Sequence, residues 1–105
     1  GPIGPLVVTP DEFADPDDLE LGCTVNGVTM QSSRTSDFIF SVSELVEYIS
    51  HLVPMYPGGL IFTGTPEGFG ATRKPPIFLK PGDILTTWVE GIGTLVNPVT
   101  EELGI

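Results

Sequence analysis

From Leu19 the chain alternates: Leu19, Leu21 and Cys23 are separated by Glu20, Gly22 and Thr24. A period of two sends the two sets to opposite faces of a strand, so one face is expected to be buried. A second strand-like run, Val28 to Ser33, follows across Asn26-Gly27. Asn-Gly between two such runs predicts a hairpin, because both residues of the tight turn must take positive φ. The period then lengthens. Val42, Leu45, Val46, Ile49 and Leu52 recur at helical spacing, and Ser41 and Glu44 have the spacing of a capping box. The pattern predicts a helix over Val42 to Leu52 that stops before Pro54, with Glu44, Glu47 and Ser50 toward water. Ile84 to Glu90 and Thr94 to Val99 read as two more strands around Gly91-Ile92-Gly93. The turn Lys80-Pro81-Gly82-Asp83 leads into them.

Between the helix and the last strands lies GGLIFTGTPEGFG, Gly58 to Gly70. Here a strand-like run, Leu60 to Thr63, is driven into a polar, glycine-rich turn. The 13 glycines and 11 prolines among 105 residues argue for many short elements joined by turns. Strand runs outnumber helices too far for alternating βαβ units. The expected fold class is therefore mixed and mainly β, with one clear helix at about 42–52. The length suffices for one small core.

Charge narrows the partners. Fourteen acids against four bases give a formal charge of −10. Such a surface repels a phosphate backbone or an anionic membrane, so neither nucleic acid nor membrane is an expected partner. Asp11, Glu12, Asp15, Asp17, Asp18 and Glu20 crowd one segment, while Arg73, Lys74 and Lys80 follow the glycine-rich stretch and Arg34 stands apart. The basic spot either marks where a small anion sits or is solvated loop charge. Cys23 is the only cysteine, so no disulfide can form within the chain; a small packed thiol suits a reducing, cytoplasmic setting. No apolar run approaches the ~18 residues that a membrane span needs, and no basic segment precedes an apolar one as in a signal peptide. The chain starts at Gly1 without Met, which suggests processing or a piece of something longer.

Candidate chemistry is sparse. The acidic DPDDL, Asp15 to Leu19, lacks the glycine and distal Glu of a calcium loop. His51 has no second His, Cys or carboxylate at ligand spacing and reads as a helix-end residue facing the helix dipole. The segment TGTP, Thr63 to Pro66, is the better candidate. Glycine lets a ligand approach the backbone, successive amides can hold an anion, and the Thr65 hydroxyl adds a donor and an acceptor. It is neither a Walker loop nor a dinucleotide fingerprint. Read from the residues alone, it is either a plain turn or a carboxylate cradle.

Five stretches in register carry a resemblance over about Gly1 to Val99. They are GPIGPLVVTPDEFADPDDLEL, VNG, RTSDFIFSVSELVEYIS, PGGLIFTGTPEGFG and RKPPIFLKPGDILTTWVEGIGTLVNPV. Together they resemble the C-terminal half of the fumarylacetoacetate hydrolase family. They are similar in particular to bacterial 2-hydroxyhepta-2,4-diene-1,7-dioate and 5-carboxymethyl-2-hydroxymuconate isomerases. The resemblance implies a β-roll or incomplete barrel with surrounding helices, paired as a homodimer. It implies a divalent cation, usually Mg2+ (or Mn2+ or Ca2+), that chelates a 2-oxo or enol carboxylate. The cation stabilises the enolate during C–C hydrolysis, isomerisation or decarboxylation, in aromatic-compound catabolism. The second threonine of TGT, here Thr65, contacts the small-molecule acid in the family, and Gly64 lets it near.

The family's metal ligands, a Glu-x-Glu pair and an Asp, precede the segment that matches Gly1. So do its active-site lysine and the His and Glu of its lid. His51 and Glu67 do not match them, and no family role attaches to Arg73 or Lys74. The expectation is thus one partial domain, 1–105, carrying substrate-binding Gly64 and Thr65 but no identifiable catalytic residue and no metal ligand. Its possible partner is the missing N-terminal half, and alone it is expected to be inactive. The alternatives are a catalytically inactive fragment or a small β-rich anion-binding module.

Overall fold

A computed structural model describes residues 1–101. Four strands form one open antiparallel sheet: β1 (Glu20–Val25), β2 (Val28–Arg34), β3 (Ile84–Val89) and β4 (Gly93–Pro98), in the order β2-β1-β3-β4. One α-helix, α1 (Val42–Leu52), and three short 3-10 turns complete the described elements. The fold is therefore mainly β with one helix, as the periodicity predicts.

The two hairpins form where the turn chemistry places them. Asn26 (φ 51°) and Gly27 (φ 80°) both take positive φ between β1 and β2. Asn26 then reaches across to the other hairpin. Its Nδ2 donates to Asp83 Oδ1 at 2.8 Å, and its Oδ1 accepts from the Ile84 amide at 2.9 Å. The bond from the Asn26 amide, and next one from the Lys80 backbone amide to Asp83 Oδ2 at 2.8 Å, hold the Asp83 carboxyl below its ordinary value. Gly22, buried at the centre of β1, makes room for a ring. A β-carbon there would stand 2.7 Å from Trp88 Cζ2 and 2.5 Å from the Gln31 carbonyl oxygen.

One irregularity in the ladder matters for the site. Cys23 pairs with Gln31 but Thr24 pairs with Thr29, so Met30 has no partner on β1. A bulge of this kind bends its strand and re-aims the neighbouring side chains. Here it turns the Met30 carbonyl toward the segment that follows α1.

Helix α1 begins and ends as its sequence dictates. Ser41 Oγ accepts from the Glu44 amide at 3.3 Å, and Glu44 Oε2 accepts from the Ser41 amide at 2.7 Å. Its apolar stripe is nevertheless largely uncovered. Leu45 and Ile49 are half-buried, whereas Val42, Val46 and Leu52 are exposed. The broad contacts between elements are those between neighbouring strands, and α1 does not lie across the sheet.

Two expectations are corrected. The run Leu60 to Thr63 is not a strand, because no neighbouring strand offers it a ladder. The small core that the length allows is also not formed among the described residues: Cys23 is the one apolar side chain that is buried. A single sheet with no second layer over either face leaves its apolar residues accessible. The radius of gyration, 15.8 Å, fits that openness; a compact chain of this length is expected near ~13 Å.

Candidate substrate site

The segment after α1 returns to β2 and is fastened there by two side chains. Arg73 is the first. Its Nε donates to the Gly68 carbonyl at 2.9 Å, and its Nη2 donates to the Met30 carbonyl, freed by the bulge, at 2.6 Å. The guanidinium thus ties the glycine-rich loop to β2 and is half-buried in doing so. Gln31 is the second. Its Nε2 donates to Thr65 Oγ1 at 2.8 Å and to the Pro66 carbonyl at 2.7 Å. These bonds bring Thr63 to Glu67 alongside β2.

A cavity of about 650 Å³ opens at this junction, a size that suits a small organic ligand. Leu21, Phe38, Ile39 and Leu45 supply apolar walls, and Thr63, Gly64 and Thr65 form one edge. Gly64 and Thr65, singled out from the sequence, therefore lie together on a concave surface. Gly64 adopts φ +97°, which an L side chain rarely takes; space is not the reason, since a β-carbon there would meet nothing within 4 Å. The amides of Thr63, Gly64 and Thr65 make no hydrogen bond to other protein groups among the described residues. Donors left unused by their own chain are what an anion-binding turn presents.

Other lining residues carry charge. Arg34 lines the cavity, but its Nε donates to Asp18 Oδ1 at 2.6 Å and its Nη2 lies 3.8 Å from Glu90 Oε2. Hydrogen bonding to Asp18 raises the Arg34 pKa, and the same contact holds Asp18 below its ordinary value with help from the Ser36 hydroxyl. Asp37, also on the cavity, accepts from Ser33 Oγ at 2.6 Å and from the Arg34 amide at 3.0 Å. The Ser33 hydroxyl is the larger cause of its lowered pKa, the Arg34 amide the next. Asp37 is thus a fixed anion at neutral pH and is poorly suited to donate a proton. Glu67 also lines the cavity, so its lining carries two carboxylates and one already paired guanidinium.

Several residues of the site were not visible in the sequence. Arg73 and Lys74, read as a spot that could draw an anion, do not line the cavity; Arg34, set aside as remote, does. Gln31, Ser33 and Asp37 carried no signal beyond their place in a hairpin strand and the turn after it. The Ser33–Asp37 and Arg34–Asp37 bonds arise from a 3-10 turn over Thr35–Asp37. The segment RTSD hints at such a turn but not at a site. His51 is exposed at the end of α1 and is not among the cavity residues. Among the described residues no three His, Cys, Asp or Glu side chains converge as metal ligands.

Comparison with known proteins places this geometry. Residues 1–100 match the family described as fumarylacetoacetate (FAA) hydrolase, C-terminal. Oxaloacetate tautomerase FAHD2A, mitochondrial, from Bos taurus is 48% identical over 98 residues, covering 93% of this chain and 31% of its own length. The crystal structure of 5-carboxymethyl-2-hydroxymuconate delta-isomerase from Mycobacterium smegmatis is 46% identical with a TM-score of 0.78, over 92% of this chain and 35% of that one. Maleylpyruvate hydrolase from Sphingobium sp. SYK-6, crystallised with manganese(II) and pyruvate, is 29% identical with a TM-score of 0.81, over 92% of this chain and 34% of that one. The chain spans about a third of the length of the curated relatives it matches.

Proposed function

Because this chain belongs to the fumarylacetoacetate hydrolase family and corresponds to its C-terminal segment, we propose that it forms one wall of the active site of a divalent-metal-dependent enzyme acting on 2-keto or enol carboxylic acids. The observation that carries this reading is the placement of Gly64 and Thr65 on the cavity, with unused amides at Thr63, Gly64 and Thr65. In this reading the amides and the Thr65 hydroxyl hold the substrate carboxylate, while the half-buried Leu21 and Phe38 lie along its carbon skeleton.

The relatives are named for a tautomerase, an isomerase and a hydrolase. Oxaloacetate and maleylpyruvate are both 2-oxo acids, and the three reactions share an enol or enolate. Such a ligand is an anion, whereas this lining offers two carboxylates and a paired arginine. Attraction must then come from positive charge held by other residues of the whole enzyme. A divalent cation, Mg2+ or Mn2+, supplies it when bound, together with Lewis-acid stabilisation of the enolate. The described residues do not fit such an ion, since they gather no ligand cluster. The cation is therefore assigned to residues outside this segment, and without them the chain is expected to be inactive.

The exposed apolar surface supports a partner. Among the described residues one apolar side chain is buried, while large ones such as Val7, Ile39 and Phe62 are each at least 90% exposed, far more open apolar side chain than a self-contained domain leaves. A homodimer and the rest of the catalytic domain are the occupants proposed for it. A cytoplasmic setting is proposed from Cys23 as a reduced thiol; no helix among the described residues is long and apolar enough to cross a membrane. The cattle relative is, by its name, mitochondrial. A role in aromatic-compound catabolism completes the reading.

The test is turnover. The whole enzyme is expected to consume an acylpyruvate or tautomerise oxaloacetate with Mg2+ or Mn2+ present, to lose that activity on chelation, and to regain it on readdition. The 105-residue chain alone is expected to show none. Chelator-insensitive turnover, or no action on any 2-oxo acid by the whole enzyme, contradicts the proposal.

A further inference from the structure

Gln31 makes three side-chain bonds and faces the cavity edge without lining it. Its Nε2 donates to Thr65 Oγ1 at 2.8 Å and to the Pro66 carbonyl at 2.7 Å, and its Oε1 accepts from Cys23 Sγ at 3.4 Å. Which amide atom faces the loop is settled by chemistry: the Pro66 carbonyl can only accept, so the NH2 group must lie there. Both amide hydrogens are then committed. The buried Cys23 thiol, which can donate weakly, holds the amide oxygen on the other side.

That arrangement has a consequence for Thr65. A hydroxyl has one proton and two lone pairs, and Nε2 of an amide has nothing with which to accept. The bond from Gln31 therefore occupies a lone pair of Thr65 Oγ1 and leaves its proton to be donated elsewhere. Among the described residues the Thr65 hydroxyl donates to no protein group. The series from Cys23 through Gln31 to Thr65 runs in one direction, each member donating to the next. A hydroxyl that accepts in such a chain becomes a better donor.

We propose that Gln31 is a positioning residue that fixes Thr65 as a hydrogen-bond donor toward the cavity, so that the site prefers a ligand oxygen with lone pairs to offer. This rests on the reading of Thr65 as a substrate contact and adds to it a direction and a residue that sets it. The bulge makes the arrangement possible. With Met30 left out of register, Gln31 is paired with Cys23 on the strand while its side chain meets the loop. The ligand class that follows is a carboxylate, whose oxygens carry the same charge before and during the reaction.

A double-mutant cycle in the whole enzyme tests it, with pyruvate in the presence of Mn2+ as the binding probe and an acylpyruvate as the kinetic one. Gln31→Met removes all three bonds at similar size. It is expected to raise the pyruvate Kd and the substrate KM roughly tenfold to a hundredfold, the value of a hydrogen bond to a charged acceptor. The kcat is expected to stay within about twofold, because a contact made equally in ground and transition states affects binding alone. In a Thr65→Val background the same change is expected to add almost nothing, since its effect passes through the hydroxyl. Some loss of melting temperature is expected from the anchoring bonds to Pro66 and Cys23; an anchoring role alone would leave the KM unchanged or make the two KM effects multiply, and either result overturns the proposal.

If Thr65→Val raises KM while Gln31→Met does not, the role of Thr65 stands and that of Gln31 falls. If neither changes KM, both readings fall. Should Gln31→Met not fold, Gln31→Glu keeps the length but accepts from the Thr65 hydroxyl and so reverses the bond. Its KM must then rise at least as much, and a normal KM overturns the proposal.

Discussion

Gly68→Ala is expected to unfold the cavity edge formed by the glycine-rich loop and, on the function proposed above, to remove most of the whole protein's activity. Gly68 sits at φ +97°, and a β-carbon there would strike the Met30 carbonyl oxygen across the junction of loop and strand. Neither partner can yield easily. The Gly68 and Met30 carbonyls are held together by one guanidinium, Arg73, at 2.9 and 2.6 Å. To admit a methyl group the loop must leave β2, and the bonds of Gln31 to Thr65 and Pro66 then break as well. Left-handed backbone costs a non-glycine residue about 1–3 kcal/mol, and each of at least three displaced hydrogen bonds about 1 kcal/mol more, so a total of roughly 4–6 kcal/mol is expected. Thermal unfolding measured beside kcat/KM is the check. Gly64→Ala is the matched comparison: it meets the same φ with open space around the new carbon, so it should lose only the backbone part. Equal melting of Gly68→Ala and the parent would mean that loop and strand do not meet as described.

Thr65→Val is the second large effect, and it falls on binding. The change keeps the branched shape and removes the one hydroxyl that Gln31 directs at the cavity. A lost hydrogen bond to a charged acceptor is worth about 1.5–3 kcal/mol, or roughly ten- to a hundredfold in KM. Fold stability is expected to change little, since Thr65 is exposed and Gln31 keeps its bond to Pro66. Steady-state kinetics with an acylpyruvate, alongside the melting temperature, separate the two quantities. An unchanged KM would remove Thr65 from the site.

Local structure was far more legible in the sequence than the site was. Asn26-Gly27 and the Ser41–Glu44 pair act within a few residues of themselves, so the first hairpin and both ends of α1 lie where pattern and turn chemistry put them. Leu60 to Thr63 misled because an apolar run becomes a strand only where another strand accepts it, and that depends on distant residues. The helix stripe misled in a related way. The period of Val42, Leu45, Val46, Ile49 and Leu52 shows which face is apolar but not what covers it, and in this chain the sheet does not.

The site itself shows the same divide. Thr63-Gly64-Thr65 stood out because glycine beside threonine has a chemical meaning over three residues. Gln31 and Arg73 did not, because their partners lie 34 and 43 residues away. Composition grouped Arg73 with Lys74 as a source of positive charge, yet Arg73 spends its donors on two backbone carbonyls. Arg34 looked isolated and proved to be the cation lining the cavity, already shared between Asp18 and Glu90. A one-residue bulge at Met30, which no periodicity announces, creates the acceptor that Arg73 uses.

Under the proposed function, the carboxylate end of the substrate meets the turn at Gly64 and Thr65. A crystal structure of the whole enzyme with Mn2+ and pyruvate measures this directly. A pyruvate carboxylate oxygen is expected within hydrogen-bonding reach, about 2.7–3.2 Å, of Thr65 Oγ1 and of an amide in the same turn. The cation is expected on residues outside this segment. Pyruvate bound with Gly64 and Thr65 turned away from it, their amides and hydroxyl engaged by protein alone, would contradict the account.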